Sequence, residues 1–128
     1  MTAGQLHGPE GQRLLGALRG VCLDLPGVDE VVDGFGHTTF KVARKSFVIA
    51  GMGEAGTDVA IKCDPVTQSH LAGRRSFFRT PYIGQHGWIS VADPMAQDWS
   101  ELAELIVDGY RRAAPKRILA RFDADRRP

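Results

Sequence analysis

Cysteine is the scarcest chemistry in this chain: Cys22 and Cys63 are the only two among 128 residues. Two thiols cannot build the disulfide framework of a small secreted domain, so both are expected to be reduced and buried. Long apolar runs are missing too, none approaching the roughly 20 residues that a membrane span needs, and Met1 to Gln12 lacks the basic-then-apolar order of a secretory leader. These absences predict a soluble cytoplasmic protein with no membrane partner. Metal-binding spacings are also lacking. His7, His37, His70 and His86 fall on separate segments, with no Cys-x-x-Cys or His-x-x-x-His pairing, so no metal site is predicted. Ser46 and Ser90 have no nucleophile-elbow sequence around them. With no catalytic constellation, the expectation is a non-enzymatic protein without a cofactor.

Acid is absent from a whole region. Residues 65–92 contain Arg74, Arg75 and Arg79 but no Asp or Glu. The formal net charge of +1 therefore conceals segregation: the net is −2 over residues 1–64, +3 over 65–92, −5 over 93–108 and +5 over 109–128. Local potential, not the total, is what attracts a charged partner. A composition of 43% apolar and 24% charged residues suits one compact domain with a real core.

The organising stretch is Lys62-Cys63-Asp64-Pro65. Val59, Ile61 and Cys63 alternate with Asp58, Ala60 and Lys62, as in a strand with one covered face. Asp64 then suits a helix N-cap and Pro65 the first helical position, where its missing N–H is no loss. A thiol beside Lys62 at a helix start is a candidate for a lowered pKa, which would make Cys63 reactive.

Along the chain, residues 1–8 read as a disordered terminus. Pro9 opens a helix with Leu14, Leu18, Val21, Cys22 and Leu25 on one stripe, and Pro26-Gly27 ends it. A short strand near Glu30 to Val32 follows. From Thr38 to Ala50 the pattern is a hairpin, with Phe40 and Val42 on one face of its first strand, Phe47 and Ile49 on one face of its second, and Ala43-Arg44-Lys45 as the turn. A glycine-rich loop, Gly51 to Gly56, leads to the central strand. A short helix spans Pro65 to about Leu71, an extended arginine-bearing loop comes next, and Trp88 to Val91 is a final strand. Asp98 with Glu101 has capping-box spacing and starts a helix through Leu102, Leu105, Ile106 and Tyr110; Pro115 restarts a short helix. The domain is expected to cover residues 9–122, with a charged tail at 123–128. The fold class is a single α+β domain, an antiparallel sheet packed against helices.

The ordered set Leu25-Pro26-Gly27-Val28-Asp29-Glu30, Phe40-Lys41-Val42, Lys45-Ser46-Phe47, Ile61-Lys62-Cys63-Asp64-Pro65, Pro81-Tyr82, Gly87-Trp88-Ile89-Ser90-Val91, Glu104-Leu105-Ile106 and Tyr110-Arg111 resembles the MmcQ/YjbR family from roughly Val21 to Arg112. Gly109 and Arg44 depart from its pattern, which has Ser and Gly there. The resemblance implies an α+β domain similar to the double-wing domain of a phage transcription activator, and members of the MmcQ/YjbR family are commonly called DNA-binding on that likeness. It carries no agreed catalytic residues, and fold-level likeness does not fix a function.

Gly51-Met52-Gly53-Glu54-Ala55-Gly56 satisfies G-x-G-x-x-G, but the dinucleotide fingerprint needs a helix opening at the glycines and an acid about 20 residues on. A strand follows here, so the motif reads as a hairpin loop. Asp29, Glu30 and Asp33 read as a solvated acidic turn. Strand parity points elsewhere: if Phe40, Val42, Val59, Ile61, Ile89 and Val91 cover the helices, then Thr39, Lys41, Lys62, Trp88 and Ser90 project from the other face. An indole among cations can stack a base and neutralise phosphate, and Arg44, Lys45, Arg74, Arg75 and Arg79 extend that set along a backbone. The expected function is therefore nucleic-acid binding, most simply DNA, through Lys41, Arg44, Lys45, Lys62, Arg74, Arg75, Arg79 and Trp88. Two rivals are open. One is a protein-interaction surface on Phe77, Phe78, Tyr82 and Ile83, in a monomer or weak dimer; the other is a small-molecule pocket between the Pro81 to Trp88 loop and the sheet.

Overall fold

The computed structural model describes residues 4–126. Helix α1 (Gly8–Cys22) is followed by strands β1 (Val28–Val32), β2 (Thr38–Val42), β3 (Lys45–Gly53) and β4 (Gly56–Lys62), then by α2 (Pro65–Leu71), β5 (Phe77–Arg79), β6 (Trp88–Ala92), α3 (Trp99–Ala113) and α4 (Lys116–Asp125). The strands form one antiparallel sheet in the order β1-β2-β3-β4-β6-β5. Helices α1 and α3 pack on one face of it. Asp64 caps α2 as its sequence context predicts, its carboxylate accepting from the Thr67 N–H at 2.7 Å, and Asp98 caps α3.

The core lies between the helices and the inner face of the sheet. Phe40, Val42, Val48, Ile61, Ile89 and Val91 are fully buried there against Leu14, Leu18, Leu102 and Ile106. One residue breaks the simple alternation. The register shifts between Phe40 and Lys41, so that Phe40 pairs with Val48 while Lys41 pairs with Ser46. Phe47 is the extra residue of a bulge. Phe47 and Val48 are therefore both buried, and Ile49 turns to the outer face. The expectation that Phe47 and Ile49 share a face is corrected by this bulge.

Other differences are local. The Gly51 to Gly56 loop shrinks to a two-residue turn, because the strands extend until Gly53 pairs with Gly56. The arginine-bearing loop contains the edge strand β5. Helix α4 runs on to Asp125, so the charged tail expected from residue 123 is helical as far as that, while residues 127 and 128 lie outside the described residues. At the other end residues 1–3 lie outside them as well. The disorder expected for residues 1–8 does not hold for the rest: Leu6 is buried, and the Gly4 carbonyl accepts from the Met52 N–H at 2.9 Å, extending the sheet edge where β2 has ended.

Two positions where the sequence departs from the family pattern have clear physical outcomes. A Cβ on Gly109 would lie 2.6 Å from the Lys62 carbonyl oxygen, so helix α3 meets the end of β4 with no room for a side chain. Gly109→Ala gains about 1 kcal/mol of helix propensity but forces backbone apart at a site where overpacking costs about 1–3 kcal/mol. Thermal melts should show a net loss of up to about 2 kcal/mol; a raised midpoint would contradict the packing described. At the β2–β3 turn, Ala43 and Arg44 both have positive φ, 49° and 70°, as a two-residue hairpin of the primed type requires. Left-handed backbone costs a residue with a Cβ about 1–2 kcal/mol, so Arg44→Gly should stabilise the domain by about 0.5–1 kcal/mol after the greater unfolded-state entropy of glycine is counted, again read by thermal or denaturant unfolding.

Candidate nucleic-acid interface

The register decides where the cations go. Lys41 opposes Ser46, Lys45 opposes Val42, Lys62 opposes Trp88 and Arg79 opposes Ile89. In this antiparallel order those positions, with Arg44 at the hairpin tip, all fall at one end of the sheet. Arg44, Lys45 and Arg79 are exposed and Lys41 and Lys62 half-buried. Helix α4 adds to the same end: Ile118 sits beside Gly27 and Val42, which brings the exposed Lys116 and Arg117 to the entry of β1. Nothing in the sequence marks these two, because a basic terminus alone does not show which end of the sheet it joins.

Arg74 and Arg75 precede β5 and lie toward the opposite end. Arg74 is also engaged, forming a paired contact with the Glu101 carboxylate at 2.9 and 3.0 Å and lying 4.7 Å over the Phe77 ring. Its guanidinium pins the β5 approach to the start of α3. The expectation that Arg74 to Arg79 act as one phosphate-binding loop is corrected: β5 separates them.

Trp88 is also corrected. It projects from the outer face as parity predicts, but only 7% of it is exposed. Lys62 lies over the indole at 5.9 Å and its Nζ donates to the His86 carbonyl. Gln68, buried beneath, donates to the Gly84 and Trp88 carbonyls, so the 80–87 segment is held down beside the ring. Trp88 therefore presents no stacking platform. Phe77 belongs to the core at 5% exposure, whereas Phe78 and Tyr82 are exposed; the apolar surface expected over Phe77, Phe78, Tyr82 and Ile83 therefore lacks its first member.

Elsewhere the charged groups are spent on structure. Arg19 holds Glu30 at 2.7 and 2.8 Å, and that bond keeps the Glu30 carboxyl below its usual range. Asp33 closes its own turn by accepting from the Phe35 and His37 N–H groups. Arg112 bridges Asp64 and Asp108, and Arg111 pairs with Asp123. Ser90 shares a hydrogen bond with Thr80 at 2.8 Å. Among the described residues no three His, Cys, Asp or Glu side chains gather as metal ligands, and no helix is long and apolar enough to cross a membrane.

An antiparallel six-stranded sheet with two helices on one face, flanked by short connecting helices, places the protein in the α+β class. Its relatives narrow this. The YjbR family model matches residues 23–112, and the chain belongs to that family. The crystal structure of Deinococcus radiodurans protein DR2400, with a DUF419 domain, is similar to this chain with a TM-score of 0.64, at 20% identity, over 86% of this chain and 78% of that one; the likeness is one of fold. Comparison with curated proteins finds no match.

The thiols follow burial and not the helix start. Burial pushes Cys63 up, with Asp64 reinforcing it against the weaker opposing pull of Arg112 and Lys62; the reactive thiolate considered for Cys63 is corrected accordingly. Cys22, fully buried, is pushed up to about 12 by the same cause. At pH 8 Cys22 then holds on the order of a thousandfold less thiolate than an open cysteine. Labelling with a thiol reagent should leave both unmodified in the native protein and modify both in denaturant. Rapid native labelling of Cys63 would contradict this placement.

Proposed function

We propose that the domain binds nucleic acid through phosphate contacts at the basic end of its sheet. The observation that supports this reading is the convergence of Lys41, Arg44, Lys45, Lys62 and Arg79 on that end through strand order alone, with Lys116 and Arg117 beside it. Of the acids near it, Asp64 and Asp108 are paired with Arg112, while Asp29 is exposed across from Lys41. The likeness to a double-wing domain adds analogy of fold, not of chemistry.

With Trp88 buried, the binding surface offers charge and reach but no base-stacking ring, so affinity rests on phosphate and carries little sequence preference. The β2–β3 hairpin ends in exposed Arg44 and Lys45, and this tip suits a groove edge of duplex DNA.

The test is a fluorescence anisotropy titration of a labelled duplex at about 50 and about 200 mM salt. For four phosphate contacts, affinity should drop on the order of a hundredfold between them. Replacing Arg44 and Lys45 by Ala together should flatten the slope of log affinity against log salt by about 2, irrespective of DNA sequence. Arg74→Ala, which removes a guanidinium already matched to Glu101, should leave the slope unchanged. Absence of binding at low salt, or an Arg74→Ala effect equal to that at the hairpin tip, would remove the reading.

A further inference from the structure

The outer face of the sheet is not flat. A concave pocket of about 630 Å³ opens between it and the segment Thr80 to Ile83, within the range of small-molecule sites. Its floor comes from cross-strand neighbours in one row, Ile49, Ala60 and Ser90. The bulge at Phe47 is what turns Ile49 into this floor. Two aromatic rings stand at the pocket with almost no cover: Phe35 is 75% and Tyr82 93% exposed. Tyr82 is held there with φ at 67°, a backbone state that a bulky residue rarely adopts and that clusters at ligand sites.

The charges of the pocket are of one sign. Asp33 and Asp58 line it, together with His37, and no Lys or Arg does. Asp33 is consumed by its own turn. Asp58 differs: its carboxylate lies against Gly53, where a Cβ would collide with it, and accepts no side-chain or backbone hydrogen bond from the described residues. Asp58 is half-buried, and that partial burial raises its pKa. A partly desolvated carboxylate with no protein donor, at the edge of an apolar cleft, gains from a charged donor that arrives with a ligand.

We propose that this pocket binds a small planar aromatic compound carrying a protonated amine, with its ring over the Ile49–Ala60 floor and against Phe35 and Tyr82, and its ammonium at Asp58. An anionic ligand of the same shape is disfavoured, because the lining offers two carboxylates and no fixed cation. The site is independent of the basic sheet end, which begins one row further along the strands at Lys41 and Lys62.

Tryptamine is a suitable probe, and indole-3-propionate, the same ring bearing a carboxylate, is its control. Followed by amide chemical shifts or calorimetry, tryptamine should bind with a Kd of about a millimolar or tighter, shifting Ile49, Ala60 and Ser90, while indole-3-propionate binds at least about tenfold more weakly. Asp58→Asn, which keeps the side-chain volume, should weaken tryptamine about tenfold or more and erase the discrimination. Tyr82→Ala and Phe35→Ala, both at exposed positions, should weaken tryptamine without disturbing the fold. Absence of tryptamine binding at about 10 mM, equal binding of the two compounds, or indifference to all three substitutions would overturn the proposal.

Discussion

Helix α3 touches the end of strand β4 backbone to backbone at Gly109 and Lys62, and much of the molecule's geometry follows from that closeness. With no side chain to hold the helix away, the next residue, Tyr110, is driven fully into the interior. Its ring meets Phe47 edge-on at 5.6 Å and Phe122 at 5.4 Å, and its hydroxyl donates to the Pro26 carbonyl at 2.7 Å. One helical step thus ties together β3, α4 and the entry to β1. Edge-to-face aromatic pairs add about 0.5–1.5 kcal/mol beyond their burial, and a buried hydroxyl that found no acceptor would cost about 1–3 kcal/mol, so Tyr110 both fills and orients this corner. The same corner frames the end of the sheet where the cations collect.

Much of the architecture was legible in the sequence because its signals are local. Asp64-Pro65 and Asp98 announce helix starts by capping chemistry, and the alternation through Val59, Ile61 and Cys63 gives the central strand its covered face. What failed to read out was the outcome of single residues that act over distance. The Phe47 bulge cannot be recognised from an alternation that it interrupts only once, and it exchanges the roles of Val48 and Ile49. Leu6 and Gly4 looked like a loose terminus because their partners, the core and Met52, come from far along the chain.

The functional residues divide in the same way. Lys41, Arg44 and Lys45 share one hairpin, so their proximity was visible in a short stretch. Arg74 and Arg79 looked alike in sequence, yet a strand of three residues places them toward opposite ends of the sheet and Glu101 engages one of them. Strand parity correctly put Trp88 on the outer face, but its burial depends on Lys62, Gln68 and the 80–87 segment, which no pattern within the strand records. The pocket was open as an alternative only because the Pro81 to Trp88 loop had to lie against some part of the sheet; its carboxylate, Asp58, carried no signal of its own.

Strand order also distributes the opposing charges. Asp33, Glu54, Asp58 and Asp93 sit at or near turns on the far end from Arg44 and Lys45, where Arg74 and Arg75 also lie, so charge differs along the strands in a way that the blocks of the sequence do not foretell. The most direct measurement is a map of backbone amide shifts as duplex DNA is added to the intact protein. Changes centred on Lys41, Arg44, Lys45, Lys62 and Arg79, with Arg74, Arg75 and the Asp33–Asp58 end undisturbed, are the predicted result. Shifts centred on Arg74 and Arg75, or spread evenly over both ends of the sheet, would contradict the account.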